Sequence, residues 1–180
     1  AAEPSRSAVL YALEISKEKN IPLIMDIDYR PYTWESADKA KQIYNLAASY
    51  CSGIIGNDDE FAVLSGNYDK SLDYAKKLSS NCDLVIYKMG EKGSITFTDN
   101  SEIVTGIFPV KALKPTGAGD AFMGSLIGAL LKNYDLHKAI EIASAAAAIV
   151  VSKVGCAPAM ADLDEILEFI TTNKINEGEK

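Results

Sequence analysis

Residues 115–127 read Pro-Thr-Gly-Ala-Gly-Asp-Ala-Phe-Met-Gly-Ser-Leu-Ile, a glycine turn that leads directly into an apolar helix. The first backbone N–H groups of a helix have no partner inside it, so together with the helix dipole they favour an anion. Gly117 and Gly119 carry no side chain that would block that anion. Asp120 has a use beside a phosphate if it accepts the proton of an attacking hydroxyl. The alternative is an ordinary turn in which Thr116 and Asp120 cap the helix.

Two better-known nucleotide loops do not fit this stretch. A Walker-type loop requires Lys-Ser or Lys-Thr after its last glycine, and no such dipeptide follows a suitable loop here. A dinucleotide fingerprint requires a third glycine where this chain has Phe122. It also requires an acidic residue on a strand about 20 residues further on, whereas residues 139–151 are rich in alanine. Both motifs are therefore excluded.

Predicted strands alternate with predicted helices, which is typical of α/β proteins. The apolar periodicity predicts helices at 4–19, 36–50, 58–65, 69–79, 118–132, 135–153 and 162–173. It predicts strands at 22–28, 53–56, 83–88, 93–98 and 102–107. This order predicts one α/β domain over residues 1–180, with a mostly parallel sheet and an antiparallel edge at 93–107. The sequence has no internal repeat and no Pro/Gly/Ser-rich linker.

The composition argues against several classes of function. With 180 residues, 48% of them apolar, the chain can bury a sizeable core. A net charge of −7 argues against a nucleic-acid partner, which would need clustered positive charge. We expect a cytoplasmic protein without a membrane partner, since no membrane-length apolar run or signal peptide is visible. Cys51, Cys82 and Cys156 lack metal-ligand spacing and are predicted to be buried thiols, and the lone His137 supports no catalytic triad.

Residues 116–122, Thr-Gly-Ala-Gly-Asp-Ala-Phe, resemble the second signature of the PfkB (ribokinase-like) carbohydrate kinases. The match has no exception from Gly117 to Asp120. The resemblance implies a ribokinase-like three-layer α/β/α fold that uses ATP and Mg²⁺. It also implies that Asp120 deprotonates a sugar hydroxyl, while the amides of Gly117, Ala118 and Gly119 form the anion hole for the transferred phosphoryl group.

Asn57 and Glu60 follow the predicted strand 53–56 and are similar to the family's Asn-x-x-Glu motif. The resemblance implies that they help to hold Mg²⁺, water and phosphate oxygens as part of the nucleotide site. One Glu and one Asn are chemically sufficient, because Mg²⁺ keeps most of its waters and needs few protein carboxylates. The alternative is an acidic first turn that complements the helix dipole.

Arg30 lies just beyond the predicted strand 22–28, and parallel sheets bind ligands beyond the carboxyl ends of their strands. A planar guanidinium suits a substrate carboxylate or a phosphate. Asp26 and Asp28 are two residues apart on the predicted strand, so we expect their side chains to point the same way. The alternative role for Arg30 is a salt bridge with Asp26 or Asp28.

Two departures from the family pattern resemble one branch, the 5-dehydro-2-deoxygluconokinases of myo-inositol breakdown. Asp28 replaces the Asn of the pattern Asp-x-Asn-x-Arg, and Lys114 with Pro115 replaces Asp-Thr before the glycines. The replaced Asp commonly helps to form a monovalent-cation site, so the resemblance does not favour a potassium requirement. Lys114 is either near the transferred phosphate or a solvated turn residue.

Two further segments resemble the nucleotide side of these kinases. Lys88, Gly90 and Gly93 have the spacing of a family hairpin, which implies that Lys88 or Gly90 lies near the nucleotide. Residues 145–148, followed by Gly155, match the helix and loop that line the adenine. The alternatives are an ordinary hairpin turn and a close-packed alanine helix.

The resemblance implies ATP-dependent phosphorylation of a sugar-acid hydroxyl, with 5-dehydro-2-deoxygluconate as the expected substrate. Fructokinase and 2-keto-3-deoxygluconate kinase are the alternatives within the family, and a non-catalytic nucleotide-binding fragment is the alternative from another class. The resemblance covers the whole chain but only the C-terminal portion of a typical member. We therefore expect the N-terminal part of the sheet and the β lid to be missing, and the fragment alone to be inactive. Homodimerisation of the full-length protein stays open.

Overall fold

A computed structural model describes residues 2–178. Its α-helices are α1 (Ser5–Glu18), α2 (Ala37–Ala48), α3 (Asp58–Ser65), α4 (Ser71–Leu78), α5 (Ala118–Leu131), α6 (Leu136–Val151) and α7 (Leu163–Thr172). Its strands are β1 (Ile24–Asp26), β2 (Gly53–Asn57), β3 (Leu84–Lys88), β4 (Ser94–Phe97) and β5 (Glu102–Thr105). Every predicted helix and strand is present, although β1 is shorter than predicted and the predicted helix 69–79 begins as a 3-10 turn, Tyr68–Lys70.

The described chain forms two compact units. The first contains the residues up to Gly90 together with Ile95–Glu102, and the second contains Glu91–Ser94 together with the residues from Ile103 onward. The sequence predicted a single domain over residues 1–180, and that remains a prediction. Among residues 2–178, every helix is too short or too polar to traverse a bilayer.

The strand order in the sheet is β1-β2-β3-β4-β5. β1 pairs in parallel with β2, and β2 pairs in parallel with β3, so that Ile54 lies between Met25 and Val85. Parallel neighbours need a connection of about a dozen residues or more. The short links at 89–93 and 98–101 therefore make β4 and β5 antiparallel to their predecessors, which confirms the mostly parallel α/β sheet with an antiparallel edge.

The core of the first unit is built on β2 and β3. Ile54, Ile55 and Ile86 are fully buried, as expected for the continuous apolar strands of a parallel sheet. Phe61 of α3 is also fully buried, and its ring lies 5.4 Å from that of Tyr87. This contact fixes α3 against β3 and thereby fixes the position where α3 begins.

The core of the second unit is built on α5 and α6. Ala143 and Ala145 of α6 are fully buried, so the alanine-rich segment is a close-packed core helix. Ile140 of the same helix and Leu126 of α5 are fully buried as well. Such small side chains let helices approach closely, and α6 thereby supports α5 behind its N-terminal turn.

The cysteines follow the prediction in part. Cys51 and Cys82 are buried free thiols. Cys156 is a free thiol too, but it is only half-buried because it lies in the loop that follows α6. His137 is exposed in the first turn of α6.

Candidate active site

Helix α5 begins at a turn that is open to solvent. Its N-cap is Gly117, which has no side chain with which to cap the first turn of the helix. The preceding residues 111–116 are exposed, and Asp120 in the first turn is exposed as well. Because neither Thr116 nor Asp120 is the N-cap, the capping alternative is not realised. The Ala118 N–H donates to Pro115 O over 3.3 Å, a long hydrogen bond that an anion at this solvent-exposed helix start can replace.

Position 117 has room only for glycine. Its φ of 93° is a left-handed conformation that side chains disfavour. A Cβ built on Gly117 would also lie 2.6 Å from Cys156 Sγ and 3.3 Å from Val150 Cγ1. Cys156 directly follows Gly155, whose φ is 114°. Within the second unit, the structure thus brings the predicted anion turn against the predicted adenine loop.

In the first unit, Asn57 and Glu60 bind each other at the carboxyl end of β2. The Glu60 backbone N–H donates to Asn57 Oδ1 over 2.9 Å, and the Asn57 N–H donates to Glu60 Oε2 over 2.7 Å. This reciprocal pair is a capping box that satisfies the start of α3. The first turn of α3 also contains the acidic residues on which the helix-dipole alternative rests, and the assignment of Asn57 and Glu60 to Mg²⁺ stays a prediction.

The Glu60 carboxylate is buried, with 7% of the residue exposed. Burial raises its pKa above the ordinary value, while the hydrogen bond from the Asn57 backbone and the charge of Lys88 act in the opposite direction. Lys88 is the register partner of Asn57 in the pair of β2 with β3. Asn57, Glu60 and Lys88 are thus grouped at the carboxyl ends of two parallel strands, where α/β sheets bind ligands.

Gly56 is a site-forming residue that the sequence analysis did not identify. A Cβ at this position would lie 2.5 Å from Ile27 Cδ1 and 3.2 Å from Glu60 Oε2. Gly56 therefore leaves the space into which the Glu60 carboxylate folds. The sequence feature that could have identified Gly56 is its position directly before the Asn-x-x-Glu pattern.

Arg30 lies in the exposed loop after β1. Its Nη2 lies 2.5 Å from Asp28 Oδ1, so the predicted salt-bridge alternative is present. The prediction that Asp26 and Asp28 point the same way from one strand is wrong, because β1 ends at Asp26 and Asp28 has a φ of 41°. Short polar residues such as Asp tolerate this left-handed backbone, which redirects the chain before Arg30. Both side chains are more than half exposed, so the pair contributes little to stability.

Two further predicted site residues, Gly90 and Lys114, have accessible backbone. Gly90 has a φ of 60°, and nothing lies within 4 Å of a Cβ built there. The exposed Lys114 donates its backbone N–H to Val151 O over 3.2 Å, which ties the approach to Gly117 to the end of α6. In the described ranges, His, Cys, Asp and Glu side chains form no cluster of three that could hold a metal ion.

An uncapped helix start with a first-turn carboxylate, on an α/β fold, is the kind of site that phosphoryl-transfer enzymes use. Comparison with known proteins agrees with this class. Residues 2–163 match the profile described as pfkB family carbohydrate kinase. The chain therefore belongs to the pfkB family.

Relatives and solved structures extend this result. The chain is 38% identical over 175 residues to 5-dehydro-2-deoxygluconokinase from Geobacillus thermodenitrificans (strain NG80-2), covering 94% of this chain and 52% of that protein. It thus spans about half the length of the curated relatives it matches. Aminoimidazole riboside kinase from Salmonella enterica, solved with aminoimidazole riboside and an ATP analogue, superposes with a TM-score of 0.82 at 27% identity, covering 94% of this chain and 59% of that chain.

A candidate ribokinase II from E. coli, solved with ATP and Mg²⁺, superposes with a TM-score of 0.84 at 23% identity. The alignment covers 95% of this chain and 55% of that chain. At this identity the likeness concerns the fold alone. The fold is therefore ribokinase-like, as the sequence predicted.

Proposed function

We propose that this chain forms the nucleotide-binding and catalytic part of an ATP-dependent sugar kinase whose acceptor is 5-dehydro-2-deoxygluconate. The observation that carries the proposal is the N-terminus of α5, which has no side-chain cap, is preceded by exposed residues and has the exposed carboxylate of Asp120 in its first turn. Membership of the pfkB family supports the reaction class. The names of the curated relatives support the acceptor. Because the chain spans about half of those relatives, the activity of the whole enzyme is part of the proposal.

The chain's own groups divide the work of phosphoryl transfer. The backbone N–H groups of Gly117, Ala118 and Gly119 hold the transferred phosphoryl group and offset its developing charge. Asp120 accepts the proton of the acceptor hydroxyl. The hydroxyl oxygen bonds to the γ-phosphorus while the bond from that phosphorus to the leaving ADP breaks. ATP supplies the phosphoryl group, and a bound Mg²⁺ would neutralise part of its negative charge.

Asn57 and Glu60 fit a magnesium role through water. Their amide and carboxylate oxygens are of the type that Mg²⁺ prefers. One oxygen of each side chain already accepts a hydrogen bond in the capping box. Direct coordination would compete with that box, whereas a water held by the remaining lone pairs would not. In this proposal Lys88, Gly90 and Gly155 contact the nucleotide, and no monovalent cation is required.

Arg30 is assigned to the acid group of the acceptor. Its guanidinium is half exposed and held by Asp28 in an accessible loop, so a carboxylate can pair with it without unfolding any element. Fructose has no such carboxylate, which makes Arg30 a residue that favours sugar acids. Cytoplasmic location and homodimerisation stay predictions.

A kinetic panel tests the reaction and the acceptor. ATP consumption by the full-length enzyme that contains this chain is measured with 5-dehydro-2-deoxygluconate, 2-keto-3-deoxygluconate and fructose. We expect the highest kcat/KM for 5-dehydro-2-deoxygluconate. A higher value for either competitor would reassign the acceptor, and no ATP consumption with any of them would contradict the kinase proposal.

A second candidate function is non-catalytic nucleotide binding by the 180-residue chain alone. The observation that favours it is that the chain spans 52% of its Geobacillus relative. Calorimetry with ATP and Mg²⁺, followed by the same turnover assay, separates the two functions. We expect weak ATP binding and no turnover for the chain alone, and normal turnover would contradict this expectation.

A further inference from the structure

Residues 174–178 follow helix α7 and lie along the backbone that leaves strand β5. The Asn176 N–H donates to Ile107 O over 2.9 Å, and the Ile107 N–H donates to Asn176 Oδ1 over 2.6 Å. Asn176 thus satisfies both backbone groups of Ile107, one with its own backbone and one with its side chain. These two hydrogen bonds fix residues 174–178 to the chain just beyond β5.

Two glycines let this segment approach the β5 backbone closely. A Cβ built on Gly106 would overlap Asn176 O. A Cβ built on Gly178 would lie 2.8 Å from the carbonyl carbon of Thr105. Neither position has room for a side chain, which is the usual reason for glycine where two backbones meet. The contact is therefore backbone against backbone.

The same part of β5 also contacts a residue of the β3–β4 link. A Cβ built on Gly93, whose φ is 92°, would overlap Thr105 O and lie 2.9 Å from Gly106 Cα. Gly93 directly follows the 3-10 turn Gly90–Lys92. Gly93, Thr105 and Gly106 all belong to the second compact unit, as do residues 174–178. Three stretches of backbone are thus in direct contact within that unit.

The segment has a fixed starting point as well. The Phe169 ring of α7 lies 5.4 Å from the ring of the buried Phe108, in an edge-on arrangement. Residues 174–178 are therefore held at one end by α7 and along their length by the backbone of residues 105–107. They lie outside residues 2–163, which match the family profile.

We infer that residues 174–178 are a strap that positions the turn Gly90–Lys92 for ATP. This role rests on the proposed function, in which the first residue of that turn contacts the nucleotide. Residues 105–106 carry the effect, because they touch both the strap and Gly93. Close-packed atoms transmit small displacements, so a loosened strap loosens Gly93 and the turn before it. Asn176 is the positioning residue, since it supplies both hydrogen bonds of the strap to Ile107.

Steady-state kinetics of the full-length enzyme that contains this chain test Asn176. Asn176→Ala removes the acceptor of the Ile107 N–H, whereas Asn176→Asp keeps a side-chain oxygen for it. Asn173→Ala is the matched control, because Asn173 is also exposed after α7 but donates its Nδ2 to Phe169 O over 2.9 Å. The measured quantities are kcat, the KM for ATP and the KM for the acceptor.

We expect Asn176→Ala to raise the KM for ATP about three- to tenfold, the size of effect that one lost hydrogen bond produces. The kcat and the KM for the acceptor should change little. Asn176→Asp should restore the KM for ATP, and Asn173→Ala should leave it unchanged. A general loss of folded enzyme would lower kcat instead. The inference is overturned by an unchanged KM for ATP in Asn176→Ala, by an equal rise in Asn173→Ala, or by no recovery in Asn176→Asp.

Backbone hydrogen exchange tests the strap without ATP or acceptor. The 180-residue chain is compared with a chain that lacks residues 174–180, and far-ultraviolet circular dichroism checks that the shortened chain folds. If it does not, Asn176→Ala takes its place. We expect the amides of residues 91–94 to exchange about tenfold faster without the strap, while amides of α2 serve as the reference. Unchanged exchange at residues 91–94 would overturn the inference.

The two measurements separate failure of the strap from failure of the proposed function. A parent enzyme that consumes no ATP with any acceptor would contradict the proposed function, and exchange at residues 91–94 would then decide the strap alone. A parent enzyme that consumes ATP, with a KM for ATP that Asn176→Ala does not change, would contradict the strap and leave the proposed function standing.

Discussion

Helices α3 and α5 begin in opposite ways. The start of α3 is closed, because Asn57 and Glu60 bind each other's backbone N–H groups and Glu60 is buried. The start of α5 is open, because its N-cap Gly117 has no side chain and the neighbouring residues 111–116 are exposed. Both first turns contain acidic residues, so the charge pattern alone does not distinguish them.

The difference shows what makes a helix start into a ligand site. A helix whose first N–H groups are satisfied by its own side chains gains stability but has little left for an anion. A helix with glycine at the N-cap gives up that stability and keeps its N–H groups for a ligand. In this chain α3 has the start that is satisfied by its own side chains, and α5 has the start to which we assign the phosphate.

Asp120→Asn in the full-length enzyme that contains this chain should have the largest effect. Loss of the proton acceptor should lower kcat by about 10²- to 10⁴-fold. ATP affinity should change little, because backbone N–H groups rather than the carboxylate hold the phosphate. Steady-state kinetics and calorimetry measure the two quantities. Asp164→Asn, which alters an exposed first-turn carboxylate of α7, is the control and should change neither quantity. An unchanged kcat in Asp120→Asn would refute the assignment of Asp120 as the proton acceptor.

Gly117→Ala should disturb the start of α5. The left-handed backbone and the contact with Cys156 Sγ should lower the free energy of unfolding by about 1–3 kcal/mol and weaken ATP binding about tenfold. Gly124→Ala on the same helix meets nothing within 4 Å. It should raise stability by about 0.5–1 kcal/mol and leave ATP binding intact. Denaturant unfolding measures the stability and calorimetry measures the ATP affinity. Equal changes in the two variants would mean that Gly117 has no special role at the start of α5.

Asn57→Ala should show how much the closed start of α3 depends on its cap. We expect a loss of about 1–2 kcal/mol in the free energy of unfolding, because the N–H of the buried Glu60 loses its acceptor. Asp162→Ala is the matched change in the exposed capping box of α7 and should cost about 0.5–1 kcal/mol. Urea denaturation measures both losses. Equal losses would mean that burial of Glu60 adds nothing.

Glu60→Gln should change the dependence of stability on pH, with the smallest effect at any one pH. Because burial raises the Glu60 pKa, the folded chain binds this proton more tightly than the unfolded chain does. The resulting stability is present below the ordinary pKa of 4.5 and is lost as pH rises through the raised pKa. The variant should therefore gain on the parent as pH rises across that window. Thermal unfolding over a pH series measures this, and parallel curves would contradict the raised pKa.

The fold was largely predictable because its elements follow local patterns. The apolar periodicity located each helix and strand, and the short links fixed the antiparallel edge. The end of β1 was not predictable, since Asp28 adopts a left-handed backbone that an alternating sequence does not reveal. The division into two compact units was not predictable either, because no linker composition marks it.

The candidate site was predictable where a motif is contiguous. The glycine spacing at 117–119 predicted a helix start, and the structure has a helix that begins there without a side-chain cap; the anion at this start stays a prediction. The contact of Gly117 with Cys156 was not predictable, because it joins segments that are far apart in the sequence. The alternative stated for Asn57 and Glu60 was an acidic first turn that complements the helix dipole, and the reciprocal capping box of the two residues was not predicted.

Backbone amide NMR of the 180-residue chain, titrated with ATP and Mg²⁺, tests whether phosphate binds at the start of α5. We expect saturable shifts that are largest for the amides of Gly117, Ala118 and Gly119, and we expect Gly117→Ala to weaken them. Gly124→Ala should leave them unchanged. A titration in which ATP binds while these three amides stay unshifted would contradict the assignment of the phosphate to the start of α5.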